Sequence, residues 1–221
     1  TEEITLAEQL QAAGYHTLHI GKWHLGRDQG MRPEHQGFDE SLLMESGLYL
    51  PVDDPQVVNA RQDFDPLDQA IWLKMRYAAS YNGGPAFAPK GYLTDYYTDQ
   101  AISAIAANKD RPFFLYLAHW GVHSPLQALK ADYDALAHIQ DHRLRVYSAM
   151  LRALDRSVDR VMQALVDNGI DDNTLVIFTS DNGAEKDSDV ATGPFRSHKG
   201  SCFEGGHRVP FLIAWGAGGI G

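Results

Sequence analysis

Three polar clusters in this chain each follow directly on a short apolar run. Gly21-Lys22-Trp23-His24-Leu25-Gly26 follows residues 16–20, and His119-Trp120, then His123-Ser124-Pro125, follow residues 113–118. Ser180-Asp181-Asn182-Gly183 follows residues 174–179. In open α/β sheets ligands bind outside the carboxyl ends of the strands, so such positions deliver Lys, His, Asp and Asn to one edge if the strands are neighbours. Lys22 and Lys199 stand beside glycines, in Gly21-Lys22 and Lys199-Gly200, where a second backbone can come close. Two lysines converging with histidines suit a tetrahedral oxyanion, sulfate or phosphate. Asp181-Asn182 places a carboxylate beside an amide oxygen, hard ligands for calcium or magnesium rather than zinc. Calcium takes about six to eight oxygens, so this pair is only part of a site.

Each cluster also has a plainer reading. A Lys-x-His is commonly surface decoration, and Asp-Asn-Gly is a common turn. His16, His19, His35, His119, His138 and His142 read as packed or solvated, and Asp53, Asp54, Asp63, Asp65 and Asp68 as a solvated acidic loop. Cys202 sits near His198 and His207, but proximity in sequence is no dyad, and a lone cysteine reads as a small buried apolar residue. Gly216-x-Gly218-x-x-Gly221 matches a dinucleotide fingerprint in letters only, without the helix or the later acidic residue.

The elements that must position these groups are legible in the apolar pattern. Residues 16–20, 113–118, 174–179 and 209–215 are near-continuous apolar runs, as in strands buried on both faces. Helical spacing joins Leu6, Leu10 and Ala13, then Tyr97, Ala101, Ala104 and Ile105 within 94–108. The longest stripe, Val146, Met150, Leu154, Val158, Val161 and Leu165, runs through 141–168 and stops at Gly169. Such alternation predicts an α/β fold, a mostly parallel sheet flanked by helices on both faces. Residues 47–90, rich in Pro, Gly, Asp and Tyr, read as a loop-rich, substrate-facing excursion from one domain over 1–221. The 221 residues carry a net charge of −10, which argues against a nucleic-acid or anionic-membrane binder. No apolar run reaches the ~20 residues that span a bilayer.

Together these segments resemble the type I, formylglycine-dependent sulfatases of the arylsulfatase kind. Gly14-Tyr15-His16-Thr17-Leu18-His19-Ile20 leading into Gly21-Lys22-Trp23-His24-Leu25-Gly26 resembles the family's second signature, and Gly37-Phe38-Asp39-Glu40 the segment after it. Residues 113–118 with His123-Ser124-Pro125-Leu126-Gln127 resemble its central strand and histidine, and 174–183 its second metal-binding segment. Phe195-Arg196-Ser197-His198-Lys199-Gly200, followed by 203–210, resembles its late lysine motif.

The resemblance implies an alkaline-phosphatase-like fold, incomplete at both ends, and hydrolysis of sulfate monoesters, aryl or carbohydrate. In that family a formylglycine hydrate, made from a Cys in Cys-x-Pro/Ala-x-Arg, attacks sulfur, and the sulfated intermediate eliminates sulfate. By motif position Lys22 and His24 contact the formylglycine, with His24 assisting elimination, while His123 and Lys199 hold sulfate and help the leaving oxygen depart. Asp181 and Asn182 are calcium ligands, with calcium ahead of magnesium. Cys202-Phe203-Glu204-Gly205 is not the modification motif, so the nucleophile and a pair of aspartates are expected upstream of Thr1, in a longer parent of which this chain is the middle. Trp120-Gly121-Val122 stands where many relatives have Asn-Ala-Pro. The family is commonly exported, periplasmic or lysosomal. A phosphate or phosphonate ester hydrolase of the same superfamily, and a non-catalytic pseudoenzyme, are the alternatives.

Overall fold

The computed structural model describes residues 3–28, 30–185 and 192–220. The chain forms two compact units, residues 1–168 and 169–221.

The first unit opens with α1 (Leu6–Ala12), started by a reciprocal cap in which Thr5 accepts from the Glu8 N–H at 3.1 Å and the Thr5 N–H donates to the Glu8 carboxylate at 2.7 Å. There follow β1 (His16–Gly21), β2 (Glu40–Gly47), β3 (Val57–Ala60), α2 (Pro66–Lys74), β4 (Tyr77–Tyr81), α3 (Leu93–Asn108), β5 (Phe113–Ala118), β6 (Leu126–Leu129), α4 (Lys130–Asp134) and α5 (His142–Asp167). The main sheet has the order β4-β2-β1-β5. β1 lies parallel to both β2 and β5, and β4 closes one edge antiparallel. β3 and β6 form a separate antiparallel pair.

One core joins sheet and helices. Ile20, Leu42 and Met44 share it with Tyr97 and Ala101 of α3 and with Val146, Ala149, Met150 and Ala153 of α5. Each large side chain so buried stabilises the fold by about 1.5–3 kcal/mol. The small Ala149 and Ala153 let α5 approach α3 closely enough for Thr98 and Ser157 to hydrogen-bond at 2.6 Å. Along the rim, Arg156 bridges Asp132 of α4 at 2.8 Å and Asp95 of α3 at 3.2 Å, flanked by Arg152 on Asp132 and Arg160 on Asp99.

The second unit contains β7 (Val176–Thr179), α6 (Glu204–His207) and β8 (Phe211–Ala214). β7 and β8 pair antiparallel, Val176 opposite Ala214 and Thr179 opposite Phe211. The expectation of strands covered on both faces holds for β1; β5 is only partly covered, with Tyr116 exposed, and in the second unit Ile177 and Leu212 are half exposed, because a two-stranded ribbon has little within its own unit to lie on.

Residues 47–90 are more ordered than their composition indicates, holding β3, α2 and β4. The acidic stretch is correspondingly structural. Asp65 caps α2, and buried Asp68 accepts from the Trp72 indole at 2.9 Å and the Gln62 N–H at 2.7 Å. Residues 215–220 form a tight turn closed by a Trp215–Ile220 bridge rather than the start of a helix; Gly221 lies outside the described residues.

Candidate active site

The β1–β5 register sets the first half of the site. Gly21 stands opposite Ala118, so Lys22 and His119 leave the sheet side by side at the carboxyl edge. The crossing is close: the Lys22 N–H donates to the Ala118 carbonyl at 2.8 Å, and a Cβ on Gly21 would lie 2.0 Å from that oxygen. With φ at +115° as well, only glycine fits.

The loop carrying Lys22 and His24 is pinned from several sides. The Trp23 indole donates to the Met31 carbonyl at 2.8 Å and meets His19 and Phe38 edge-on. Arg27 pairs with Glu45 at 3.1 Å and donates to its carbonyl at 2.8 Å, tying the loop to β2. His19, buried within β1, has one ring nitrogen 3.0 Å from the Lys22 carbonyl and the other 3.2 Å from the Ser41 hydroxyl. A carbonyl only accepts, so Nε2 carries the proton and Nδ1 accepts from Ser41. Burial pushes this imidazole down from 6.5 to about 4, the Lys22 carbonyl opposing the shift. His19, read from sequence as merely packed, therefore holds the backbone of a candidate catalytic lysine; its place mid-strand in an apolar run carries no signal of that.

After β5 the chain folds back on itself. His119 is half-buried with its Nδ1 enclosed and its Nε2 2.8 Å from Ser157, and desolvation of the ring lowers it to about 4. The His123 N–H donates to the Trp120 carbonyl at 2.9 Å, and the His123 ring stacks on the Trp120 indole with centroids 3.9 Å apart. The Lys22 ammonium lies 5.5 Å from the same indole's centroid. Nδ1 of His123 donates to the Ser124 carbonyl at 2.8 Å, so Nδ1 carries the proton of the neutral ring and Nε2 is the nitrogen at which a further proton is taken up and released. Tyr49, wholly buried and stacked on Tyr92, donates its hydroxyl to the His123 carbonyl at 2.9 Å. The Gln127 side chain accepts from the Tyr49 N–H at 2.9 Å, completing the support under residues 123–127. Lys22 and His123 thus meet on one indole, while His24 stands exposed two residues further along the loop.

In the second unit Asp181 and Asn182 form the turn leaving β7. The Gly183 N–H donates to the Gly206 carbonyl at 2.9 Å, and a Cβ on Gly183 would fall 1.9 Å from the Gly205 oxygen, so the turn is seated against α6. The Asn182 amide nitrogen donates to the Gly183 carbonyl at 3.0 Å, which settles which end of the amide is oxygen. Asp181 is exposed. A carboxylate beside an oriented amide oxygen fits a hard dication as part of its ligand set. The Lys199 N–H donates to the Ala184 carbonyl at 2.8 Å, drawing the lysine segment to the same turn. Among the described residues no group of three or more His, Cys, Asp or Glu side chains is arranged to hold a metal. Cys202 is exposed, contrary to the buried position expected of a lone cysteine.

A family model described as Sulfatase matches residues 1–219. Arylsulfatase J of Mus musculus is 35% identical over 216 residues, 94% of this chain and 33% of that protein. N-acetylgalactosamine-6-sulfatase of Homo sapiens is 34% identical over 220 residues, 96% of this chain and 40% of that protein. Among solved structures, Ps i-CgsB in complex with k-i-k-neocarrahexaose superposes with a TM-score of 0.79 at 33% identity, covering 96% of this chain and 47% of that one. PsFucS1 sulfatase from Pseudoalteromonas sp. shares the fold, with a TM-score of 0.71 at 23% identity over 98% of this chain and 45% of that one. The chain spans a third to two-fifths of the length of these curated relatives and about half of these solved chains.

Proposed function

This chain belongs to the sulfatase family, with its alkaline-phosphatase-like fold, and on that premise we propose that the enzyme carrying it hydrolyses sulfate monoesters. The observation that carries the reading is the meeting of Lys22 and His123 on the Trp120 indole at the carboxyl edge of β1 and β5. A sulfate monoester brings a negative charge to the site, and bond cleavage moves charge onto the departing oxygen. Lys22 supplies a fixed cation, and His123 supplies a proton at Nε2, the nitrogen not engaged by Ser124.

Lys199 adds a second cation for the sulfate oxygens, and His24 lies on the same loop as Lys22 to take up and return a proton as sulfate is released. Asp181 and Asn182 would hold a calcium ion through a carboxylate and an amide oxygen. When present, a formylglycine derived from a cysteine outside these 221 residues supplies the nucleophilic oxygen, and calcium supplies Lewis acidity toward sulfate. Cys202 lies outside any Cys-x-Pro/Ala-x-Arg sequence and is left without a catalytic role. A carbohydrate sulfate fits as substrate: Ps i-CgsB was solved with a neocarrahexaose and other relatives are named for N-acetylgalactosamine-6-sulfate. Residues 47–90, which supply Tyr49 beneath His123, are the segment assigned to face the alcohol.

The test is steady-state turnover of matched sulfate and phosphate esters, repeated with His123→Ala. Sulfate esters are expected to react faster, and the variant is expected to lose most on alkyl sulfates, whose departing oxygen most needs a proton. Preference for the phosphates would overturn the sulfatase reading. An equal loss on activated aryl and unactivated alkyl sulfates would remove His123 from the acid role.

A further inference from the structure

We propose that Trp120 is a positioning residue for this reaction, its indole holding the His123 ring and the Lys22 ammonium in one fixed arrangement. The inference rests on the reading of Lys22 and His123 given above. Neither side chain is positioned by its own covalent geometry. Lysine carries its charge on a flexible four-carbon stem, and the bond from Nδ1 of His123 to the Ser124 carbonyl anchors one edge of that ring. The stack at 3.9 Å, with the planes 23° apart, holds the face of the ring, and an ammonium 5.5 Å from the indole centroid is within cation–π range.

The indole's own seat is built for it. Trp120 is buried, and its N–H donates to the Gly47 carbonyl at 2.9 Å. A Cβ on Gly47 would lie 2.8–2.9 Å from Nε1, Cε2 and Cζ2 of the ring, so the missing side chain at the end of β2 is what admits the indole edge. The turn from 120 to 123, closed by the His123 N–H on the Trp120 carbonyl, returns the imidazole onto that ring. An indole filling core space needs neither a cation nor an imidazole against it; this one has both candidate catalytic groups, each from a different strand end.

The experiment measures kcat/KM for a series of sulfate esters running from nitrophenyl to alkyl leaving groups, in the enzyme carrying this chain. The variants are Trp120→Leu, Trp120→Phe, Gly47→Ala, His123→Ala and the Trp120→Leu/His123→Ala double variant, each checked for native circular dichroism. Trp120→Leu is expected to lose roughly tenfold on alkyl sulfates, the upper range of an aromatic stack plus a cation–π contact, and about threefold or less on nitrophenyl sulfate. Trp120→Phe, which keeps a stacking ring, should recover most of the loss. Gly47→Ala, which displaces the indole without removing it, should reproduce the leaving-group dependence even where Trp120→Leu fails to fold. In the His123→Ala background, Trp120→Leu should add no further dependence on the leaving group. A uniform loss across the series in folded Trp120→Leu and Gly47→Ala, or no rescue by Phe, overturns the role of Trp120. Leaving-group dependence in His123→Ala with none in either Trp120→Leu or Gly47→Ala overturns this inference alone. Its absence from His123→Ala overturns both this inference and the reading of His123.

Discussion

Acidification should weaken the first unit through two desolvated histidines, and the size of the effect follows from their surroundings. His19 is buried and the half-buried His119 has its Nδ1 enclosed; both are neutral, and desolvation brings each from 6.5 down to about 4. At pH 7 both the folded and unfolded forms are neutral and the stability is fully present. Between 6.5 and about 4 the unfolded chain takes up protons that the folded chain refuses, so stability falls as the pH falls; below about 4 the loss levels off. Between pH 7 and pH 5 each histidine accounts for about 2 kcal/mol, or about 4 kcal/mol together, a large fraction of the ~5–15 kcal/mol that holds a typical domain. Urea unfolding at constant ionic strength, in steps from pH 7 to pH 5, measures this directly. The carboxylates held low by their partners, Asp39, Glu40 and Glu45, add their own losses at lower pH, which keeps this window clear of them. His119→Asn should reduce the slope by about half. An unchanged slope in His119→Asn, or a stability that rises on acidification, would refute the reasoning.

Three further outcomes follow from the geometry. Asp181→Asn should weaken calcium binding, with activity partly restored by excess calcium through mass action, whereas Lys199→Ala should not respond; calorimetry and turnover across a calcium titration check both, and calcium rescue of Lys199→Ala would refute this division of roles. Gly21→Ala drives a Cβ to 2.0 Å from the Ala118 oxygen at a positive φ, so it should destabilise by about 3 kcal/mol or more and displace Lys22; thermal melting and kcat report the two effects separately. Arg156→Met leaves the nearly buried Asp132 with Arg152 alone and should cost about 3 kcal/mol in urea unfolding, while a loss under about 1 kcal/mol would show that Arg152 suffices.

The sequence displays those elements whose apolar residues lie close together. β1 and β5 are near-continuous runs, and α5 shows a stripe of apolar residues from Val146 to Leu165, of which Val146, Met150 and Leu165 are buried and Val158 is exposed, lying between the Asp141 cap and Gly169. β2, Glu-Ser-Leu-Leu-Met-Glu-Ser-Gly, hides because polar residues bracket only three apolar ones, and β4, Tyr-Ala-Ala-Ser-Tyr, because its strand character comes from pairing with β2. Asp68 read as solvated because a one-dimensional pattern cannot show an indole from its own helix closing over it. The positions of Lys22 just after β1 and Asp181 just after β7 were legible because each strand must stop at the edge of its own sheet. Trp120 was visible only as a departure from the family's usual residues; its contacts arise from the turn that follows β5, and turns of that kind leave no periodic trace.

The arginines of α5 pose a problem of registration. Arg152, Arg156 and Arg160 recur every four residues, and so do Asp95 and Asp99 on α3. Sliding α5 by one turn, about 5.4 Å along α3, would bring Arg152 to Asp95 and Arg156 to Asp99, giving a ladder of nearly equal electrostatic worth. The surface charges alone therefore do not distinguish the native alignment from its neighbour. The distinction is made by features that do not repeat: Asp132 arriving from α4, and the single buried Thr98–Ser157 bond. A chain that docked its two long helices by charge before α4 was in place would have two alignments of similar energy to choose between, and Ser157 is the residue that decides.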